Sequence, residues 1–167
     1  MESSDLTVDI IEKGLNCLGQ HPILKNHAFL ELNISASKTI KSIDALGQYP
    51  HLMYINISDN QIEDISVFAL MPTLTQLIAR KNCIRKCLSF SPPLCTTQNS
   101  WATGHKAVGS LLTCVDLTEN LIEDIVDISD HRFLEILLLS RNQICSIRGL
   151  STLRYLKVTF SISFLFV

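Results

Sequence analysis

The sequence has no uninterrupted run of about 18 apolar residues, so no segment of it is expected to cross a membrane as a helix. A basic, apolar secretory leader is not expected either. The sequence begins Met1-Glu2-Ser3-Ser4-Asp5, which is acidic and polar and unlike a secretory signal. A charge excess is missing too: 14 basic residues stand against 16 acidic ones, a formal net charge of −2. That balance argues against nucleic acid or an anionic membrane as partner. The six cysteines (17, 83, 87, 95, 114 and 145) form no C-x-x-C pair and no zinc-ligand spacing. Without a secretory route they are expected to be reduced thiols, Cys87 inside the core and Cys114 facing outward and open to thiol reagents. The sequons at Asn33 and Asn56 are then expected to carry no glycan. His21, His27, His51, His105 and His131 are scattered, with no cysteine or carboxylate repeating at ligand spacing beside them. No Ser-His-Asp order emerges. The expectation is a cytoplasmic chain that is not an enzyme, with no cofactor, no metal, no small-molecule substrate, no nucleic acid and no membrane among its partners.

What is present is a repeat. The chain has 167 residues, 47% hydrophobic and 18% charged, enough apolar material for one continuous core. Leu52, Ile55, Ile57, Asn60, Ile62, Ile65 and Phe68 recur 22 positions later as Leu74, Leu77, Ala79, Asn82, Ile84, Cys87 and Phe90. The same pattern returns as Leu112, Val115, Leu117, Asn120, Ile122, Ile125 and Ile128. It returns again as Leu134, Leu137, Leu139, Asn142, Ile144, Ile147 and Leu150. Such self-similarity marks a solenoid, in which no repeat buries its apolar face alone. A degenerate copy precedes these four: Leu32 and Ile34, then Ile40, Ile43 and Leu46, with one extra residue between the parts and no Asn. After Leu153 and Leu156 the pattern is lost, because Thr159 and Ser161 fall where apolar strand residues belong.

The spacing predicts an α/β repeat. The period-2 apolar pair points inward from a short strand, successive strands stack in parallel on the concave face, and the later apolar residues return along the convex side. Asn60, Asn82, Asn120 and Asn142 are expected to be structural, their amides bonding turn backbone in their own and neighbouring repeats. Residues 1–28 read as an N-terminal capping region, with one amphipathic helix over 5–18 that buries Leu6, Ile10, Ile11, Leu15 and Leu18 and ends at Gly19 and Pro22. Residues 29–157 hold about five repeats, and 158–167 form an atypical apolar tail. Leu74 and Leu112 are 38 positions apart, 16 more than one repeat. The excess lies within 91–110, a Pro-, Thr-, Ser- and Gly-containing loop with the only Trp, Trp101. It reads either as a binding loop or as a tolerated or non-coding insertion, and the tail poses the same choice.

Outward strand positions form rows across the repeats. Tyr54, Ile78, Ile136 and Leu138 are apolar residues turned away from the core, beside Arg80, Lys81 and Asp116. Contiguous outward apolar residues mark partner sites, so these seven are the candidate protein contacts. The rows Asp59-Lys81-Glu119-Arg141, Glu63-Arg85-Glu123 and Asp64-Lys86-Asp124 alternate in sign. That alternation reads either as a docking surface or as an intramolecular charge ladder.

The four regular copies resemble the 22-residue leucine-rich-repeat class, typified by the regulatory subunit of protein phosphatase 1 and by many ciliary proteins. Asp5-Leu6-Thr7-Val8-Asp9, Cys17-Leu18-Gly19, Tyr49-Pro50-His51-Leu52, Met71-Pro72 with Leu74, Leu77 and Ala79, and Phe90 with Pro92-Pro93 narrow the likeness. They are similar to the N-terminal repeats of proteins that join leucine-rich repeats to a guanylate kinase domain. That resemblance implies a leucine-rich-repeat solenoid acting as a protein-interaction scaffold in cilium or flagellum assembly, with a ciliary, axonemal or basal-body location. A regulatory subunit of an enzyme such as a phosphatase, or the targeting arm of a guanylate-kinase-like protein, stands as the alternative. No phosphate loop is present, since Gly104-His105-Lys106 lacks the rest of that motif.

Overall fold

A computed structural model describes residues 5–20, 27–91, 110–151 and 153–159. Residues 160–167 of the tail, most of the insertion (with Cys95, Trp101 and His105), and His21 and Pro22 lie outside the described residues.

Each regular repeat contributes a three-residue strand centred on its first inward residue. These are β3 (Tyr54–Asn56), β4 (Gln76–Ile78), β5 (Cys114–Asp116) and β7 (Ile136–Leu138). Ile55, Leu77, Val115 and Leu137 pair in register in parallel and are fully buried. The preceding strand β2 (His27–Asn33) adds Leu32 to that row, and β9 (Lys157–Thr159) adds Val158 at the other end. With β1 (Leu15–Gln20) the sheet has seven strands, in the order β1-β2-β3-β4-β5-β7-β9. The chain returns through two 3-10 turns, Asp44–Gln48 and Ser66–Leu70, and through short strands β6 (Asp124–Ile125) and β8 (Ser146–Ile147), paired in a second sheet. The turn at Ser66 is set by Asp64, whose carboxylate accepts from the Ser66 N–H (2.8 Å) and Oγ (2.9 Å).

The core runs between these layers as one continuous column. All seven repeat positions from Leu52 to Phe68, from Leu74 to Phe90 and from Leu112 to Ile128 are buried. The last repeat keeps Leu134, Leu137 and Leu139 buried but leaves Ile144 and Leu150 half-buried and Ile147 exposed. Apolar positions on the return side are buried by the following repeat, and here the described residues supply none.

The repeat Asn residues hold the turns as the spacing demands. Asn82 Nδ2 donates to the carbonyls of Ile57 (3.0 Å), Ala79 (3.3 Å) and Arg80 (3.1 Å), and its Oδ1 accepts from the Ile62 N–H (3.1 Å). Asn120 makes the equivalent bonds to Ala79, Leu117 and Thr118 and accepts from Ile84. Asn142 bonds Leu117, Leu139 and Ser140 and accepts from Ile122. Each amide therefore rivets two repeats together. Asn60 donates to Ile34, Ile57 and Ser58, but its Oδ1 is buried with no partner among the described residues. The extra residue in the degenerate first repeat accounts for this: it shifts the backbone that should present an N–H at Ile40.

Two expectations need correction. The cap is not one helix over 5–18. Asp5 and Leu6 run alongside Ser42 as an extended arm, the helix α1 covers only Val8–Gly14, and Leu15–Gln20 is strand β1, antiparallel to β2. Leu6 and Ile11 are buried as expected, whereas Leu18 is exposed. Two physical reasons combine. The outer edge of β2 needs a strand to pair with its backbone groups. Gly14 comes so close to β2 that an added Cβ would lie 2.7 Å from the Asn33 carbonyl oxygen and from Ile34 Cγ2, so the helix stops there. The pattern also does not end after Leu156. The strand pairing continues one residue early, with Val158 rather than Thr159 opposite Leu137.

Candidate functional site

The outer face of the seven-stranded sheet is the candidate site. In-register pairing creates its rows. Glu31, Tyr54, Gln76, Cys114, Ile136 and Lys157 form one, and Asn33, Asn56, Ile78, Asp116 and Leu138 the next. Strands lie about 4.8 Å apart, so neighbours in a row touch. Ile136 is 40% exposed, and Tyr54, Ile78 and Leu138 are half-buried. Ile136 and Leu138 share one strand face beside Cys114. Ile78 is separated from Leu138 by Asp116, and Tyr54 is separated from Ile136 by Gln76 and Cys114. The structure thus brings Ile136 and Leu138 together and sets Ile78 and Tyr54 apart from them.

The charged candidates are engaged within the molecule. Asp116 is nearly buried; its Oδ1 accepts from the Thr118 N–H (2.9 Å) and its Oδ2 lies 3.6 Å from Arg80 Nε. Asn56 makes the same turn bond to the Ser58 N–H (3.1 Å), so Asp116 is a turn residue that also takes Arg80. Lys81 pairs with Asp59 (3.6 Å), Arg141 with Glu119 (3.1 Å) and Arg85 with Glu123 (4.0 Å). All four pairs join adjacent repeats. Asp59, Lys81, Glu119 and Arg141 also share a left-handed backbone, with φ of 56°, 50°, 59° and 57°. That conformation aims the first three N–H groups at the carbonyls of Arg80, Thr118 and Ser140 in the next repeat, each at 2.9 Å.

Cys114 is less open to reagents than its outward position implies. It is half-buried, and burial first, then the Asp116 carboxylate, raise its thiol above the ordinary range. Burial pushes the Cys87 thiol up to about 12, in keeping with a core position. Among the described residues no three His, Cys, Asp or Glu side chains converge as metal ligands, and no helix is long and apolar enough to cross a membrane.

Two features escaped the sequence reading. Leu18 and Phe29 face each other across β1 and β2 and are 63% and 44% exposed. Period 2 along β2 places Phe29 on the face of Glu31, next to Tyr54, so the open face has an apolar N-terminal end. The alternation His27-Ala28-Phe29-Leu30-Glu31-Leu32-Asn33 carried that signal. His131 is fully buried in the place that Met71 takes two repeats earlier. Its Nε2 lies 3.2 Å from the Leu88 carbonyl, and its ring meets Phe90 edge-on at 5.2 Å. Burial holds its imidazole below the ordinary value, opposed by the Leu88 carbonyl, Asp130 and Phe90 backbone.

No protein-family model matches the chain. Over 88 residues it is 32% identical to the human leucine-rich repeat and guanylate kinase domain-containing protein, covering 53% of this chain and 10% of that one. Over 83 residues it is 31% identical to bovine leucine-rich repeat-containing protein 23, covering 50% of this chain and 24% of that one. The chain therefore spans a quarter or less of the curated relatives it matches. Among solved structures, internalin C2 of Listeria monocytogenes superposes with a TM-score of 0.53 at 24% identity, over 77% of this chain and 51% of that one. That likeness speaks for the fold alone. With the 22-residue repeat and the Asn-riveted parallel sheet, these likenesses identify the chain as a leucine-rich-repeat solenoid.

Proposed function

We propose that this chain is a protein-interaction scaffold that captures its partner on the open face of the sheet, with Tyr54, Ile78, Ile136 and Leu138 as apolar anchors and Arg80, Lys81 and Asp116 beside them. The observation carrying the proposal is that the outward rows hold large apolar side chains on a regular, rigid sheet, where a merely solvated face would be polar. Leu18 and Phe29 extend the contact at the N-terminal end. Arg80 and Lys81 are already paired within the chain, so they orient a partner more than they attract it. The resemblance to repeat-plus-guanylate-kinase proteins extends the proposal to a scaffold in cilium or flagellum assembly, checked by locating tagged protein in ciliated cells.

Ile78→Asp and Leu138→Asp should each abolish partner capture from a ciliated-cell lysate with the circular-dichroism spectrum unchanged, because neither side chain is in the core. Arg80→Glu with Lys81→Glu should weaken capture and also lower stability, since each new carboxylate would face Asp116 or Asp59. Asp127 bonds the Ser129 N–H (2.9 Å) and makes a poor convex-side control, so Val126→Ser serves instead. Capture that survives both aspartate variants but fails for Val126→Ser would move the interface to the other side.

A further inference from the structure

The charges of the solenoid alternate repeat by repeat. The repeat from Leu52 carries Asp59, Glu63 and Asp64 and no base, and the next carries Arg80, Lys81, Arg85 and Lys86 and no acid. The repeat from Leu112 is acidic again from Asp116 to Asp130 and closes on a single base, Arg132. Beyond it the sign returns to positive, with Arg141, Arg148, Arg154 and Lys157 against Glu135. Each inner layer meets opposite charge on both sides, and the four ion pairs already described are the contacts that result. Among the described residues, the last layer meets an acidic neighbour on the side of the repeat from Leu112. Arg141 is taken up there by Glu119.

Along the edge shared by the last two layers, Ser129, Arg132 and Phe133 of the repeat from Leu112 recur as Ser151, Arg154 and Tyr155 of the next. The six residues line one open groove of about 680 Å³. Both arginines are exposed, and neither has an ion-pair partner among the described residues. Each stands next to an exposed ring, Phe133 at 49% and Tyr155 at 62%. The corresponding positions in the earlier repeats are Pro50-His51, Pro72-Thr73 and Ser110-Leu111, none of which pairs an arginine with a ring.

We propose that this groove is a second docking site, distinct from the open sheet face, which takes an acidic segment of a partner protein. Carboxylates of the segment meet the Arg132 and Arg154 guanidiniums, whose planar forks suit them. An apolar side chain between the carboxylates rests on Phe133 and Tyr155. Charge complementarity selects the occupant, since the groove supplies two unpaired cations and no acid.

The test is fluorescence anisotropy of the full chain with a labelled peptide of alternating glutamate and leucine, and a lysine-leucine peptide of equal length as control. The glutamate peptide should bind and the lysine peptide should not. Arg132→Glu with Arg154→Glu should weaken binding roughly tenfold or more and reduce its salt dependence, with the fold unchanged. Phe133→Ser with Tyr155→Ser should also weaken it, while the sheet-face variant Leu138→Asp should leave it unchanged. The inference is overturned by glutamate-peptide binding that is insensitive to the arginine reversal, or by equal binding of the lysine peptide. It is also overturned if millimolar inorganic phosphate alone displaces the peptide, or if sedimentation shows a dimer that the reversal dissolves. That last result would assign the groove to a second copy of the chain.

Discussion

The amide of Asn82 satisfies three carbonyls and one N–H drawn from two repeats, and no apolar side chain of similar size can replace it. Asn82→Leu and Asn120→Leu should each lower stability by about 1–3 kcal/mol through unpaired turn groups, read as a shift of the urea midpoint. Asn60→Leu should be milder than either, because Asn60 Oδ1 already lacks a partner. Equal losses at all three sites would show that the acceptor bond contributes nothing. His131 makes the opposite kind of contribution. Its folded value is depressed below the value of about 6.5 for an unfolded chain, so the stability it protects is fully present above that pH. That stability is lost as pH falls from there toward the lower folded value, because the unfolded chain then binds the proton more readily. His131→Met restores the side chain that the equivalent position already uses, and it should flatten the urea midpoint between pH 7.5 and 5.5. An unchanged slope in that window would place the titrating group elsewhere.

At the scale of elements, the insertion is narrower than its composition suggests. Ser110 is buried; its N–H donates to the Asp130 carbonyl (3.2 Å), and its Oγ accepts from the Leu112 N–H (3.1 Å). Phe90 is buried against Phe68 and His131, and the Ser91 hydroxyl bonds Asp130. Residues 90, 91 and 110 therefore belong to the solenoid. Removing 95–110 would sacrifice Ser110, whereas removing residues 94–109 keeps it and restores the 22-residue spacing. The second deletion should leave the thermal midpoint equal or slightly higher, because closing a shorter loop costs less entropy. The first should be the less stable of the two, and the reverse order would show that Ser110 is dispensable. In the cap, Gly14→Ala should destabilise by about 1–3 kcal/mol, since the new methyl meets the Asn33 carbonyl oxygen and Ile34 at 2.7 Å.

For the whole molecule, the alternation of charge from repeat to repeat acts along the stacking direction. Pairs at the surface contribute about 0–1 kcal/mol each, so the four together contribute at most about 4 kcal/mol. Their value falls when salt screens them. Raising potassium chloride from 50 mM to 1 M should lower the urea midpoint, by no more than the loss of that contribution accounts for. A midpoint that holds or rises would mean that the pairs do not stabilise the stack.

The sequence by itself determined the repeat, its inward residues and its turns, because a 22-residue period with a fixed Asn permits only one way of stacking. Cys87 in the core, the buried Ile40, Ile43 and Leu46 of the degenerate repeat, and the rows of the open face all followed from that period. Tertiary structure alone decided what the period does not govern. The apolar residues of 5–18 fit a helix in isolation, and only the unpaired edge of β2 and the close approach at Gly14 turn half of them into a strand. The return at β9 came one residue early, which no local propensity announces. Asp116 and Arg80 read as open charges until the diagonal between strands brought them within 3.6 Å. Arg132 and Arg154 lay 22 positions apart in plain view, yet only the folded chain shows that they line one groove beside two exposed rings.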